Sequence, residues 1–264
     1  MSHFTVLVNL PKEVELAGVE SAVADALEPF WELDLPTEDL RDDPRSEFRV
    51  KYKGTPEEVA REIFSEVNVE STRLEYTKLL DAKEFDELIE DWGGYTKVGN
   101  TYGYYRNPNA KWDWYSIGGR WAGLFFHKKA KQACNYGRVS EVDFQDPVQL
   151  KKDRKFYKRF WEINIEGQPL TGVEKLKEGK YTSLYKKEYF TEFYTCKEEY
   201  VRRQTAFSTY AAVVDGKWLE KGQMGWFGCS SETAEESRQW EENYQKMLDS
   251  FDPESWVVVV DCHI

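Results

Sequence analysis

Trp256–His263 reads WVVVVDCH, a run of eight residues holding four consecutive valines. β-Branched side chains pack well on a pleated surface, and an unbroken apolar run suits a strand buried on both faces. Its counterpart lies at the other end of the chain, where Phe4–Leu10 reads FTVLVNL and Pro11 stops the pattern. Strands bracket the chain and helical patterns lie between. The expected fold is therefore α+β: a mainly antiparallel sheet, ferredoxin-like or related, with helices on one face and its first and last strands as antiparallel neighbours. In that arrangement His3 comes beside Asp261, Cys262 and His263. Successive side chains of a strand point to opposite faces, so Asp261 and His263 share a face and Cys262 points away.

Working inward, Val19, Val23, Ala26 and Leu27 give helical spacing within residues 13–28. Residues 34–47, acidic and holding Pro36 and Pro44, read as a loop, and Phe48–Lys53 alternates as a short strand. Thr55, Pro56 and Glu58 open a helix with a capping box and a first-turn proline. Asp81 and Glu84 suggest another box, opening a helix from Asp81 to Asp91 that Gly93-Gly94 stops. Gly93 to Gly123 reads as structured loops around short strands. Asp146-Pro147 starts a helix, and residues 146–205 read as a peripheral helical insertion within a single domain, 1–264. Asp215-Gly216 between TYAAVV and KWLE favours a type I′ hairpin. Thr233 and Glu236 cap a helix that carries Trp240, Tyr244, Met247, Leu248 and Phe251 on one face.

The chain has 264 residues and a formal net charge of −12. That acidic balance argues against general binding to nucleic acid or anionic membrane. Residues 146–205 depart from it, with 14 Lys/Arg against 10 Asp/Glu. Aromatic residues make up 16% of the chain, enough to serve both a core and stacking surfaces. The four cysteines (Cys134, Cys196, Cys229, Cys262) form no C-x-x-C pair, no apolar run approaches the roughly 20 residues of a membrane span, and MSHFTVLV lacks a basic leader. The expected location is the cytoplasm.

Four stretches are candidates for chemistry or for contact with a partner. Asn107–Trp121, NPNAKWDWYSIGGRW, alternates Trp112, Trp114 and Trp121 with Lys111, Asp113 and Arg120. Gly118-Gly119 lets the backbone approach a ligand or another segment closely, Arg120 suits a phosphate or carboxylate, and the indoles suit a base. The same residues also fit a packed sheet face in which Asp113 pairs with Lys111 or Arg120. Gly222–Gly228, GQMGWFG, adds Trp226 to the candidate ligand-binding set but matches neither a Walker loop nor a dinucleotide motif, and a turn after the hairpin accounts for its glycines. His3, Asp261 and His263 suit acid–base work or divalent metal ligation, and equally a hydrogen-bonded sheet end. The basic run Lys151–Arg159 suits an acidic partner, RNA or a solvated helix face. No G-x-S-x-G, H-E-x-x-H, P-loop or kinase set occurs, and His3-Phe4-Thr5 lacks a second H-x-[ST].

MSHFTVLV, NPNAKWDWYSIGGRW, DGKWLEKGQMGWFG and VVDCHI together resemble an uncharacterised bacteriophage and bacterial protein family, whereas residues 138–205 do not. The resemblance implies a phage accessory setting in a host cytoplasm and assigns no reaction and no cofactor. It favours a protein that binds a host protein or a small nucleotide ligand, as counter-defence proteins do. Two alternatives stand beside it: an enzyme on nucleotides or phosphoesters that uses Arg120 with His3, Asp261 and His263, and an acidic DNA mimic.

Overall fold

The computed structural model describes residues 2–33, 35–66, 84–223 and 231–264. Its strands are β1 (His3–Leu10), β2 (Glu47–Lys53), β3 (Thr96–Val98), β4 (Thr101–Arg106), β5 (Trp114–Ile117), β6 (Phe125–His127), β7 (Gln132–Cys134), β8 (Tyr136–Arg138), β9 (Val142–Asp143), β10 (Ala211–Val214), β11 (Lys217–Glu220) and β12 (Trp256–His263). Its helices are α1 (Val19–Leu27), α2 (Thr37–Asp42), α3 (Pro56–Ser65), α4 (Phe85–Gly93), α5 (Pro147–Asn164), α6 (Gly172–Lys175), α7 (Glu178–Tyr181), α8 (Lys187–Phe193), α9 (Lys197–Gln204) and α10 (Ala234–Asp249). The fold is α+β with mainly antiparallel sheets. The sequence reading treats 1–264 as one domain; the contacts divide it into two compact units, Met1–Leu27 with Trp114–Ile264, and Glu28–Asp113.

The first unit is built on the two terminal strands. β1 and β12 pair antiparallel along their full length, from His3↔His263 to Leu10↔Trp256. The sheet runs β11-β10-β1-β12-β5, with β8 also on β12, and β1 and β10 are its parallel pair. All eight residues of β12 are buried, so the valine run is covered on both faces. Val257 and Val259 join Leu7, Ala212 and Phe125 against Tyr244, Leu248 and Phe251 on and just after α10. Val258 and Val260 face the other way, the side on which α1 lies with Val19, Val23 and Leu27 buried. Helices thus cover both faces rather than one, because four consecutive valines leave no polar face for solvent. The hairpin between β10 and β11 turns at Asp215 (φ 51°) and Gly216 (φ 71°), the two positive angles of a type I′ turn. Thr233 and Glu236 form the capping box of α10.

Residues 147–204 contain α5 to α9, with a core of their own: Trp161, Ile165, Phe190 and Tyr200. Asp146 caps α5 by accepting the Val148 N–H at 2.8 Å.

In the second unit the sheet β2-β4-β3 packs Tyr52 and Tyr102 against Val59, Ala60 and Phe64 of α3 and Leu88 and Ile89 of α4. The Thr55/Glu58 capping box forms as expected. Two elements differ from the sequence expectation. Residues 37–42, expected as loop, form α2: Pro36 sits at its cap, and Glu38 and Asp39 complement the dipole of its first turn. The helix expected from Asp81 begins at Phe85, because Glu84 is extended and makes no side-chain cap. Asp81 lies outside the described residues. Gly94 ends α4 in the left-handed region at φ 63°, where glycine is unstrained.

Candidate functional site

The register that joins the chain's ends sets His3 opposite His263, and Asp261 opposite Thr5 on one side and Ser116 on the other. Alternation then places His3, Asp261, His263, Trp114 and Ser116 on one face, beyond the rows that α10 covers. Cys262 falls on the opposite face with Phe4 and Tyr115, as the alternation argument requires. There burial, then Cys262, Asp25 and Glu20, push the Tyr115 hydroxyl above its ordinary value.

Asp261 is the hub. Its Oδ1 accepts the His3 Nδ1–H at 2.9 Å, and its Oδ2 accepts the backbone N–H of Arg120 at 2.9 Å. The side chain is 3% exposed, so this carboxylate is desolvated and its oxygens are committed to these donors. A carboxylate on Nδ1 selects the tautomer in which Nε2 carries the lone pair. Among the described residues Nε2 of His3 has no hydrogen-bond partner. The His3 ring stands edge-on to His263 at 5.0 Å and to Trp114 at 5.1 Å, while Trp114 stacks on His263 at 5.1 Å and 16°. His263 is buried, and Trp114 is 45% exposed at the rim. The result is an oriented imidazole beside a half-open indole.

The Gly118-Gly119 turn makes this possible. Gly119 adopts φ +48°, and a Cβ there would come within 2.4 Å of Asp261 Cβ and Oδ2 and 2.6 Å of Ser116 Oγ. Its close approach is therefore to another segment of the chain. Gly118, at φ +77°, abuts the Asn135 side chain and donates its N–H to the Val259 carbonyl at 2.9 Å. Asn135 fixes the turn from beneath, accepting Gly123 N–H on Oδ1 at 2.6 Å and Val259 N–H on its carbonyl at 2.8 Å. Sequence reasoning missed Asn135: it lies in no motif, and only the sheet brings it to residues 118 and 259.

Arg120 takes part through its backbone. Its guanidinium is exposed and makes no hydrogen bond or ion pair among the described residues. It lines a cleft of about 400 Å³ with Trp121, Gln145, Asp146, Gln149 and Asp153. Trp121 is half-buried against the core beneath α10.

Lys111, Trp112 and Asp113 belong to the second unit, and Trp114 to Trp121 to the first. Trp112 is buried and stacked on Trp31 at 6.3 Å, and Trp31 Nε1–H donates to the Asp113 carbonyl at 3.0 Å. The buried Asn107 amide donates to the carbonyls of Pro29 and Trp31. These words of the motif clasp residues 29–31 within their own unit. Trp226, with residues 224–230 of GQMGWFG, lies outside the described residues.

Among the described residues no three His, Cys, Asp or Glu side chains are grouped to hold a metal ion, so geometry adds no support to metal ligation by His3, Asp261 and His263. Among them, too, no helix is long and apolar enough to cross a membrane. No family model, curated protein or solved structure matches the chain.

Proposed function

We propose that the chain carries an acid–base site at the end of its central sheet and acts on a phosphoester or nucleotide-like ligand as a hydrolase or transferase. The observation that supports this is the His3–Asp261 pair, with the second carboxylate oxygen occupied by the Arg120 amide. A buried carboxylate that fixes one ring nitrogen leaves the other to take or give a proton, the logic of a histidine general base. Trp114 offers a stacking face for a base, and the uncommitted Arg120 guanidinium a bidentate contact for an anion.

The test is a panel of nucleoside mono-, di- and triphosphates and chromogenic phosphodiesters, followed for product release and for ligand-induced shifts in melting. His3→Gln should lower turnover by about 10²–10⁴-fold, the usual worth of a positioned acid–base group. Arg120→Ala should weaken binding while stability stays within about 0.5 kcal/mol, since its side chain is exposed. Full turnover in His3→Gln, or a panel without turnover or melting shift, would refute the proposal.

A second reading, binding without chemistry by a phage-type accessory protein, draws on the half-exposed Trp114. It predicts a nucleotide recovered unchanged, with affinity lost in Trp114→Ala and retained in His3→Gln.

A further inference from the structure

The basic run in α5 forms a stripe. Lys151, Arg154, Lys155 and Lys158 stand at i, i+3, i+4 and i+7, one helix face, with Lys152 on its flank, and all five are exposed. None makes an ion pair among the described residues, in contrast to Arg159, which meets Glu174 at 2.7 Å, and Lys197, which meets Glu166 at 2.9 Å. The acids of α5 do not interrupt the stripe. Asp153 falls on the opposite side at about 100° per residue, and it accepts the Gln149 amide at 2.8 Å. Glu162, one turn past Lys158, is matched by Arg159 at 3.6 Å and Lys197 at 3.7 Å. Outside residues 146–205 the chain carries 22 Lys/Arg against 38 Asp/Glu, so a polyanion is repelled elsewhere and drawn to this face.

Two features of the helix select the ligand. The aromatics inside the basic run are taken up by the fold, with Trp161 in the helical core and Tyr157 and Phe160 against it. Phe156 lies among Tyr157, Phe160 and Tyr181, with the Lys180 ammonium 5.0 Å over its ring. That removes the stacking platforms that single-stranded nucleic acid uses. Exposed apolar side chains occur on α5 only in its first turn, at Pro147 and Val148, so the stripe also lacks the central anchors of a protein–protein interface. What remains is a row of point charges about 10 Å long at the helical rise of about 1.5 Å per residue, suited to a polymer of evenly spaced phosphates. We infer that the α5 stripe binds the sugar–phosphate backbone of double-stranded nucleic acid without reading its sequence. The contact uses none of the acid–base residues. Each cation that takes a phosphate releases condensed counterions. Four such contacts give log K a slope of about −3.6 against log salt, and affinity falls about 150-fold between about 50 and 200 mM.

Fluorescence anisotropy of the full chain with a short labelled duplex, titrated over a salt series, tests this. DNA and RNA duplexes of two unrelated sequences are compared, so that the arms name the source of the backbone. The expected result is binding at low salt to at least one duplex type, equal for its two sequences and with that slope. Lys151→Gln/Lys155→Gln/Lys158→Gln should reduce the slope to about −1, since each phosphate contact removed takes away about one unit. Lys175→Gln/Lys177→Gln removes two exposed lysines elsewhere among residues 146–205 and should leave the slope unchanged, as should His3→Gln. Circular dichroism melts confirm that each variant is folded. Absence of duplex binding at low salt overturns the inference. So do a slope that the triple variant keeps, a slope that the double variant loses equally, and tighter binding of a single strand of the same length. Tighter binding of poly-glutamate than of either duplex type also overturns it, and would assign the stripe to an acidic protein.

Discussion

Gly119 carries the tightest constraint in the candidate site. Its φ of +48° lies in the left-handed region, and any Cβ would press into Asp261. Gly119→Ala therefore incurs about 1–2 kcal/mol of backbone strain. It also displaces a carboxylate that satisfies two donors, worth about 1–3 kcal/mol when such partners are left unpaired. Gly167→Ala is the control, because Gly167 sits at φ +72° with open space around it and incurs the strain alone. Melting should fall clearly further for Gly119→Ala than for Gly167→Ala, and equal losses would show that Asp261 is not held by this turn. The pairing of His3 with Asp261 was legible in the sequence, since two terminal strand patterns and strict alternation are enough to derive it. The commitment of the second Asp261 oxygen to the Arg120 amide was not, because backbone donors leave no trace in residue identity. Arg120 itself drew attention for its charge, yet its fixed contribution to the geometry is an N–H that most residues would supply.

At the scale of elements, two of the local signals that succeeded pair residues three apart. Thr55/Glu58 and Thr233/Glu236 both close as capping boxes. Asp81/Glu84 shows the same spacing, but Glu84 is extended, and the pattern alone does not reveal which threefold spacing the chain will use. A further box at Thr171/Glu174 went unread because the helix it opens is only four residues long. Glu174 accepts Arg159 on both oxygens, at 2.7 and 2.9 Å, and the Thr171 N–H at 2.7 Å. Arg159 first, then the Thr171 backbone, hold its carboxyl down at about 2, against an ordinary 4.5. Because the folded value lies below the unfolded one, this contribution is present above pH 4.5 and is lost as pH falls toward about 2. Hydrogen exchange of the amides from Thr171 to Lys175 should show protection falling through that window in the wild type and nearly flat in Glu174→Gln. The readout is local because other carboxylates titrate over the same range and would mask a small effect in a global melt. Parallel pH profiles for the two proteins would sink the idea.

At the scale of the molecule, the terminal sheet was legible and the division into two units was not. Both strands of the β1–β12 pair announce themselves by composition, whereas the boundary at Asp113–Trp114 falls inside one dense aromatic motif that reads as a single word. Trp112 packs on Trp31 in one unit and Trp114 on His263 in the other, so neighbouring tryptophans of similar appearance serve different units. This separation makes a prediction about cooperativity. Leu7 and Leu88 are both fully buried, the first in the core beneath α10 and the second between α4 and the β2-β4-β3 sheet. Truncating either to alanine should cost about 2–5 kcal/mol through lost burial and the cavity left behind. If the cores unfold independently, differential scanning calorimetry resolves two transitions. Leu88→Ala then lowers the one belonging to Glu28–Asp113, by about 4–8 °C per kcal/mol for a unit of that size, and leaves the other in place. Leu7→Ala does the reverse, with a smaller shift of about 2–4 °C per kcal/mol because its unit is larger. A single transition that moves with both substitutions would mean that the chain unfolds as one cooperative domain despite its separate cores.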